Sequence, residues 1–453
     1  MATFFILLLE HLAWFLTCLA AVAACVYFLL RRHIFSVIDP IFYFLVISET
    51  FCITDVAFMF RFGMIDTRIA VNYFLTEAAL FIGILQFRTN IRASNPTQLP
   101  ATELSPLASR VLYRISLALF VALNLLVYAM RGIPVFMASR LEIYRKEGWG
   151  VLDRAFDVLL VIIVYYLMDV LRRRRWILAE WASLLILLVI EILSGAKIAV
   201  LQLFFIAGLA CYFTGTAKAF FTLKSKYFRN CIFIAIAGAL VVVTIQRNGM
   251  QQRGEEQPNP LTMLVIRMVS NGDAFMYAYP NGYIDQLDSR NPLGALLKDY
   301  LATFRIAKPD ELPTHIGVQL SEHFTGHGDE FQTNAKHNLF GLVYFGFWGS
   351  ILYSYLVGSS IGFVRHTLWK KLPRNWIGGT IFILMSLGTI QLVNESDVAN
   401  RYVIDTLVFF LPMVFLAIAL ATAIRPSSKA SGTLSGEARP KKELHSVGTM
   451  QES

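Results

Sequence analysis

Four of the chain's eight histidines, His315, His323, His327 and His337, fall in one short stretch that runs into KHNLFGLVYFGFWGS. Imidazole gains and loses a proton near neutral pH and also ligates metals. His323 and His327 are four residues apart, which on a helix puts two imidazoles on one face, with Asp329 and Glu330 as further donors. Gly326 and Gly328 flank His327 and disfavour that helix, so no metal is expected. His337 stands where polar sequence gives way to apolar sequence. An imidazole held partly dehydrated at such a mouth of a membrane segment is suited to general-base chemistry, with Asn338 as a cap fixing it to the start of the helix.

Other segments carry charge and rings. IRMVSNGDAFMYAYPNGY sets Arg267 and Asp273 on either side of a Ser-Asn-Gly break, followed by Tyr277, Tyr279 and Tyr283. Opposite charges beside aromatics suit anion binding and sugar stacking. Arg140, Arg247, Arg253 and Arg401 flank apolar segments, and Lys197 opens one after the turn LSGAK. Guanidinium groups bind phosphate oxygens in bidentate fashion, and a cation at a helix start adds to the helix dipole. Singly, each arginine has a plainer role as a side chain snorkelling to headgroups; the anion reading rests on the set.

The elements that must hold these residues are membrane helices. The chain has 453 residues, of which 56% are hydrophobic and 16% charged, with 36 Phe. That is too apolar for a soluble globule of this length and predicts an all-α, polytopic membrane protein. Eleven segments are candidate spans: 5–30, 34–60, 69–87, 112–130, 155–171, 176–193, 197–216, 230–246, 339–363, 376–394 and 402–424. The first lacks a basic leader and is expected to stay as a span. The five cysteines lie in or at the ends of spans, so neither a disulfide framework nor a thiolate metal site is expected.

The segments divide the chain into spans at 1–246, a long loop at 247–338, spans at 339–424 and a polar tail at 425–453 expected to be disordered. A loop of that length is usually functional. Within it, NPLGALLKDYLATF predicts one amphipathic surface helix capped by Asn291. Every second connection is basic, as in Arg172 to Arg175. This side holds 23 Lys/Arg and 4 Asp/Glu, and the other 17 of each. By the positive-inside rule the N-terminus is outside, the tail cytoplasmic and the long loop external. The net charge of +9 is then a topology signal beside anionic lipid, not a nucleic-acid surface. The ten acids within spans are Glu10, Asp39, Glu49, Asp55, Glu77, Asp157, Asp169, Glu180, Glu191 and Asp405, of which Asp55, Glu77 and Asp405 stand out, and intramembrane acids admit a proton-path or transport reading.

KHNLFGLVYFGFWGSIL resembles the His-Asn…Gly-x-x-Gly segment of the O-antigen ligase and polymerase superfamily, with Gly346 and Gly349 at the glycines. RGIPVFMASRLEIYRKEGWG, LSGAKIAVLQLF and IRMVSNGDAFMY are similar to three further segments of Wzy-type repeat-unit polymerases, in the same order. The resemblance implies a GT-C-like membrane glycosyltransferase of the bacterial inner membrane, without cofactor, joining undecaprenyl-pyrophosphate-linked oligosaccharides at the periplasmic face. It implies His337 and Asp273 as catalytic groups. It further implies Arg140, Lys197, Arg247, Arg267 and Arg401 at the pyrophosphate, and Tyr277, Tyr279 and Asn338 at the sugar. Partners would be membrane lipids, a chain-length regulator and a flippase. The alternatives are a ligase delivering the polymer to lipid A–core and an ion- or lipid-coupled transporter.

The charge asymmetry makes a direct prediction: a cysteine placed at Gln286 reacts with an impermeant reagent from the periplasmic side. Labelling only from the cytoplasm would invert the topology.

Overall fold

The computed structural model describes residues 2–87, 106–137, 150–172, 178–195, 199–216, 269–308, 311–326, 333–396 and 401–424, and the single positions 233, 237 and 244. Apart from those three positions, the eighth candidate span lies outside the described residues, as does the tail.

Among the described residues every regular element is helical. Helices α1 (Ala2–Glu10) and α2 (Leu12–Leu30) divide the first candidate span at His11, whose backbone is not helical. They are followed by α3 (Phe42–Arg61), α4 (Thr67–Leu85), α5 (Pro106–Arg131), α6 (Gly150–Arg172), α7 (Leu178–Leu193) and α8 (Ala199–Phe213). Among the described residues seven helices are long and apolar enough to cross a membrane, which makes this a multi-pass membrane protein. Helix α6 is the centre of one half: Val158 to Tyr165 are all buried, packed by α5, α8 and the C-terminal spans. Over Val158 to Tyr165 its surface is apolar all round, which requires neighbours on every side.

The long loop contributes short helices: α9 (Asp273–Ala278), α10 (Pro292–Leu296), α11 (Lys298–Thr303) and α12 (Ile316–Thr325). Asn291 caps α10, its carboxamide oxygen accepting from Gly294 N at 2.8 Å. The single helix expected from NPLGALLKDYLATF is instead two, because Leu297 leaves helical geometry. Helices α9 and α12 pack together, and α9 with the turn before it lies against α3, so Phe275, Tyr279, Ile316 and Leu320 share one core with α1, α3 and α4.

Three spans close the chain: α13 (His337–Phe363), α14 (Trp376–Asn394) and α15 (Arg401–Ile424). Helix α13 is not straight. Gly346 has φ 68° and ψ −170°, a conformation open essentially to glycine alone. The chain reverses there. His337 Nδ1 lies 2.9 Å from Ser354 Oγ, and the Phe340 and Tyr353 rings are 5.4 Å apart. In a straight helix positions 337 and 354 would be about 25 Å apart. The ninth candidate span is therefore a hairpin. A short arm, 337–345, rises against a long arm that starts at 347.

The long arm runs parallel to α4 at unusually close range. Asn72 donates to Phe347 O and to Ser350 Oγ, both at 2.9 Å. A Cβ at Gly358 would stand 2.0 Å from Leu80 O. Small residues let two membrane helices meet backbone to backbone. Parallel packing agrees with the charge map, on which both helices run from the loop side to the basic side.

At the basic end Arg365, fully buried, donates to Asp39 Oδ1 at 2.6 Å and lies over the Phe35 and Tyr212 rings. Arg374 sits over Phe213 and Trp369 and donates to Phe213 O at 2.9 Å.

Gly346→Ala should cost about 1–3 kcal/mol of stability through backbone strain alone, since nothing crowds the position. Thermal unfolding in detergent reads this as a lowered midpoint; an unchanged midpoint would contradict the reversal at Gly346.

Candidate functional site

The foot of the hairpin lies inside the bundle. Lys336 precedes α13 and is 1% exposed. Its ammonium donates to Ser48 Oγ at 2.9 Å, Glu49 Oε1 at 2.7 Å and Asn394 Oδ1 at 2.9 Å, so each of its three protons has an acceptor. The acceptors come from α3 and the end of α14. In α3 the stretch Phe42–Ser48 is a π-helix that ends where Ser48 and Glu49 take the lysine. Such wide turns recur at functional sites.

His337 is fully buried. Besides Ser354 on Nδ1, it faces Glu77 of α4, with Nε2 3.7 Å from Glu77 Oε1. Nε2 has no hydrogen-bond partner. Asn338 fixes the glutamate, donating to Glu77 Oε1 at 2.9 Å and to Thr76 Oγ1 at 3.0 Å. Oε2 of Glu49 and Oε2 of Glu77 are also without a hydrogen-bond partner. Two carboxylates and one ammonium leave one negative charge, which a single proton on the Glu77–His337 pair would neutralise. A cation could do the same, because Glu49, Glu77 and His337 offer donor atoms within 4.8 Å of one another.

The long loop covers this centre. The turn Ser270–Gly272 rests on α3, where the Cys52 thiol donates to Asn271 O at 3.3 Å. Tyr279 is 1% exposed, its ring 5.1 Å from Phe275 and 6.4 Å from Tyr73. Asp273 opens α9 and is half-buried. Tyr277, also half-buried, stacks on Phe324 at 4.9 Å. Partial burial, with the Asp273 carboxylate adding to it, raises the Tyr277 phenol above its usual range.

The structure thus revises several sequence-based placements. His337 is not at the mouth of a span; the hairpin carries it down the bundle, level with Ser354 of the long arm. Asn338 does not cap α13. It lies inside the helix and reaches across to α4, while Lys336 holds the cap position without a side-chain cap bond. Tyr279 has no ring face open to a sugar in this conformation. Arg401 pairs with Asp157 of α6 at 2.7 Å and lies over Tyr402. His323 stacks on Tyr283 at 4.0 Å. Arg140, Lys197, Arg247, Arg253, Arg267, His327, Asp329 and Glu330 lie outside the described residues. Lys336 and Ser354 had no signal as site residues. Glu49 and Glu77 had one, as acids within spans.

Comparison with known proteins finds no matching family model, no matching curated protein and no matching solved structure.

Lys336→Met should destabilise the protein by about 3–5 kcal/mol, because it strands a buried Glu49 carboxylate. The double variant Lys336→Met, Glu49→Gln should recover most of the loss. Thermal unfolding of the three proteins tests this; a double variant no more stable than Lys336→Met would refute the charge pairing.

Proposed function

We propose that the protein is a membrane glycosyltransferase that polymerises undecaprenyl-pyrophosphate-linked oligosaccharide repeat units at the periplasmic face of the bacterial inner membrane. The observation that carries the reading is His337: an imidazole brought by a re-entrant hairpin to within 3.7 Å of a glutamate, with its Nε2 unpartnered, beneath the long loop. The resemblance of the hairpin sequence to the O-antigen ligase and polymerase superfamily supports it independently.

In this reading a hydroxyl of the acceptor's terminal sugar attacks the anomeric carbon of the donor chain. The bond from that carbon to the pyrophosphate oxygen breaks, and undecaprenyl pyrophosphate leaves. The hydroxyl proton goes to His337, whose positive charge Glu77 stabilises. The leaving group is already activated and anionic, so the remaining requirement is cationic contact, for which the arginines and Lys197 are the candidates. The turn Ser270–Gly272 and α9 cover the centre and have to shift for a sugar to reach it. A ligase acting on lipid A–core would use the same centre with another acceptor. An ion-coupled transporter is a second reading, favoured by the donor atoms of Glu49, Glu77 and His337 that converge within 4.8 Å.

His337→Ala should lower chain growth by about 10²–10⁴-fold and reduce the polymer ladder to single repeats. His323→Ala should leave the ladder intact, since that ring rests on Tyr283 at the loop surface. Ladders from the two variants at equal expression decide the point. Normal chains from His337→Ala would remove it from the chemistry, and unlinked transport of repeats without chain growth would favour the transporter.

A further inference from the structure

A base that is fully buried has to return its proton to water, and His337 has no solvent contact. We propose that the Glu77–His337 centre exchanges protons with loop-side water through side chains along α3, and that Asp55 is the obligatory middle member of that path. The destination of the catalytic proton rests on the glycosyltransferase reading; the exchange itself does not.

Asp55 is fully buried, and neither of its carboxylate oxygens has a hydrogen-bond partner. Such a group in a membrane helix is costly and is by default a functional one. Glu49, Cys52 and Asp55 follow one another at three-residue steps in α3, about 9 Å from first to last along the axis. At the inner end Glu49 belongs to the centre, its carboxylate held by Lys336. In the middle, Cys52 is buried and donates to Asn271 O of the loop turn. At the outer end Gly272 lies directly on Asp55: a Cβ there would stand 2.5 Å from Asp55 Oδ2. The next residue, Asp273, is half-exposed and reaches solvent. The buried phenols of Tyr73 and Tyr279 lie in the same region, each within electrostatic reach of Glu77 and Cys52. Each of these side chains can take up or release a proton, and the burial falls from complete at His337 to partial at Asp273.

The step is a proton transfer with no redox change. The acceptor's O–H bond breaks as its oxygen bonds to the anomeric carbon, and the proton passes to His337. Glu77 releases its own proton by way of Asp55 to Asp273 and water, and takes up the one on His337 in its place. Asp55→Asn keeps the shape and removes the ability to take up and pass on a carboxyl proton.

The test uses the full chain in lipid nanodiscs. The carboxylic C=O infrared band assigned to Glu77, by its loss in Glu77→Gln, is followed after transfer from H₂O to D₂O. The expected result is exchange slowed at least about tenfold in Asp55→Asn and in Asp55→Ala. Formate, a small weak acid that fits the space left in Asp55→Ala, should restore the rate, and Asp405→Asn should exchange like the unaltered protein. Exchange at the unaltered rate in Asp55→Asn overturns the path. So does slowing in Asp55→Ala that formate does not relieve, which marks a merely structural role, and so does the lack of any Glu77 band. Should Asp55→Asn fail to fold, Asp55→Ala with and without formate gives the same decision. Slowed exchange in a protein that makes no polymer would leave the path standing and remove the glycosyltransferase reading. Normal exchange and chain growth in Asp55→Asn would do the reverse.

Discussion

Burial of the Lys336 ammonium is the constraint on which the rest of the centre depends. A lone charge in the membrane interior is strongly unfavourable, and its neighbours have to supply both an opposite charge and full hydrogen bonding. Ser48, Glu49 and Asn394 do so from two different spans. That demand fixes where the long loop re-enters the bundle. Once Lys336 is fixed, His337 and Asn338 are fixed beside it, and Asn338 in turn holds Glu77. The reversal at Gly346 then lets the chain climb back before it crosses the bundle as the long arm.

The opposite end of the protein solves the same problem with other residues. Arg365 and Asp39 form a buried pair enclosed by Phe35 and Tyr212, and Arg374 is held by rings and a backbone carbonyl. Charges are thus paired at the basic end and deep in the bundle, with the apolar stretch Val158–Tyr165 of α6 between its neighbours. Around His337 one imidazole nitrogen and two carboxylate oxygens have no hydrogen-bond partner, and further along α3 neither oxygen of the Asp55 carboxylate has one. Unpartnered proton-carrying groups packed around a buried imidazole are what a site for proton chemistry requires.

Much of the fold was legible because membrane spans are set by long apolar runs, which composition reveals directly. Eight of the eleven segments coincide closely with one described helix or hairpin, 34–60 with a helix that starts only at Phe42, and the first with two helices, while seven of the described helices are long and apolar enough to cross a membrane. The hairpin was not legible. Its two arms read as one apolar run of ordinary span length, and a single glycine conformation decides between a straight helix and a reversal. For the same reason His337 was read at the surface, since distance along the sequence says nothing of depth once the chain turns back. Lys336 went unnoticed because a lysine beside an apolar run normally marks the end of a span, and only tertiary contacts show it drawn inward. Glu49 and Glu77 were visible as acids within spans, but their convergence on one histidine from two helices is a property of packing.

The most direct measurement of the central claim is a cross-link between the two arms. In a variant lacking the native cysteines, Gly341→Cys and Ser350→Cys are introduced together. A Cβ at position 341 stands 3.0 Å from the Ser350 Cβ, whereas in a straight helix these residues would be about 13 Å apart along the axis. The hairpin predicts a disulfide between them on mild oxidation of the inserted protein. Two free thiols after oxidation, in a protein that is otherwise inserted and folded, would mean that α13 is straight and that His337 does not meet Ser354 and Glu77.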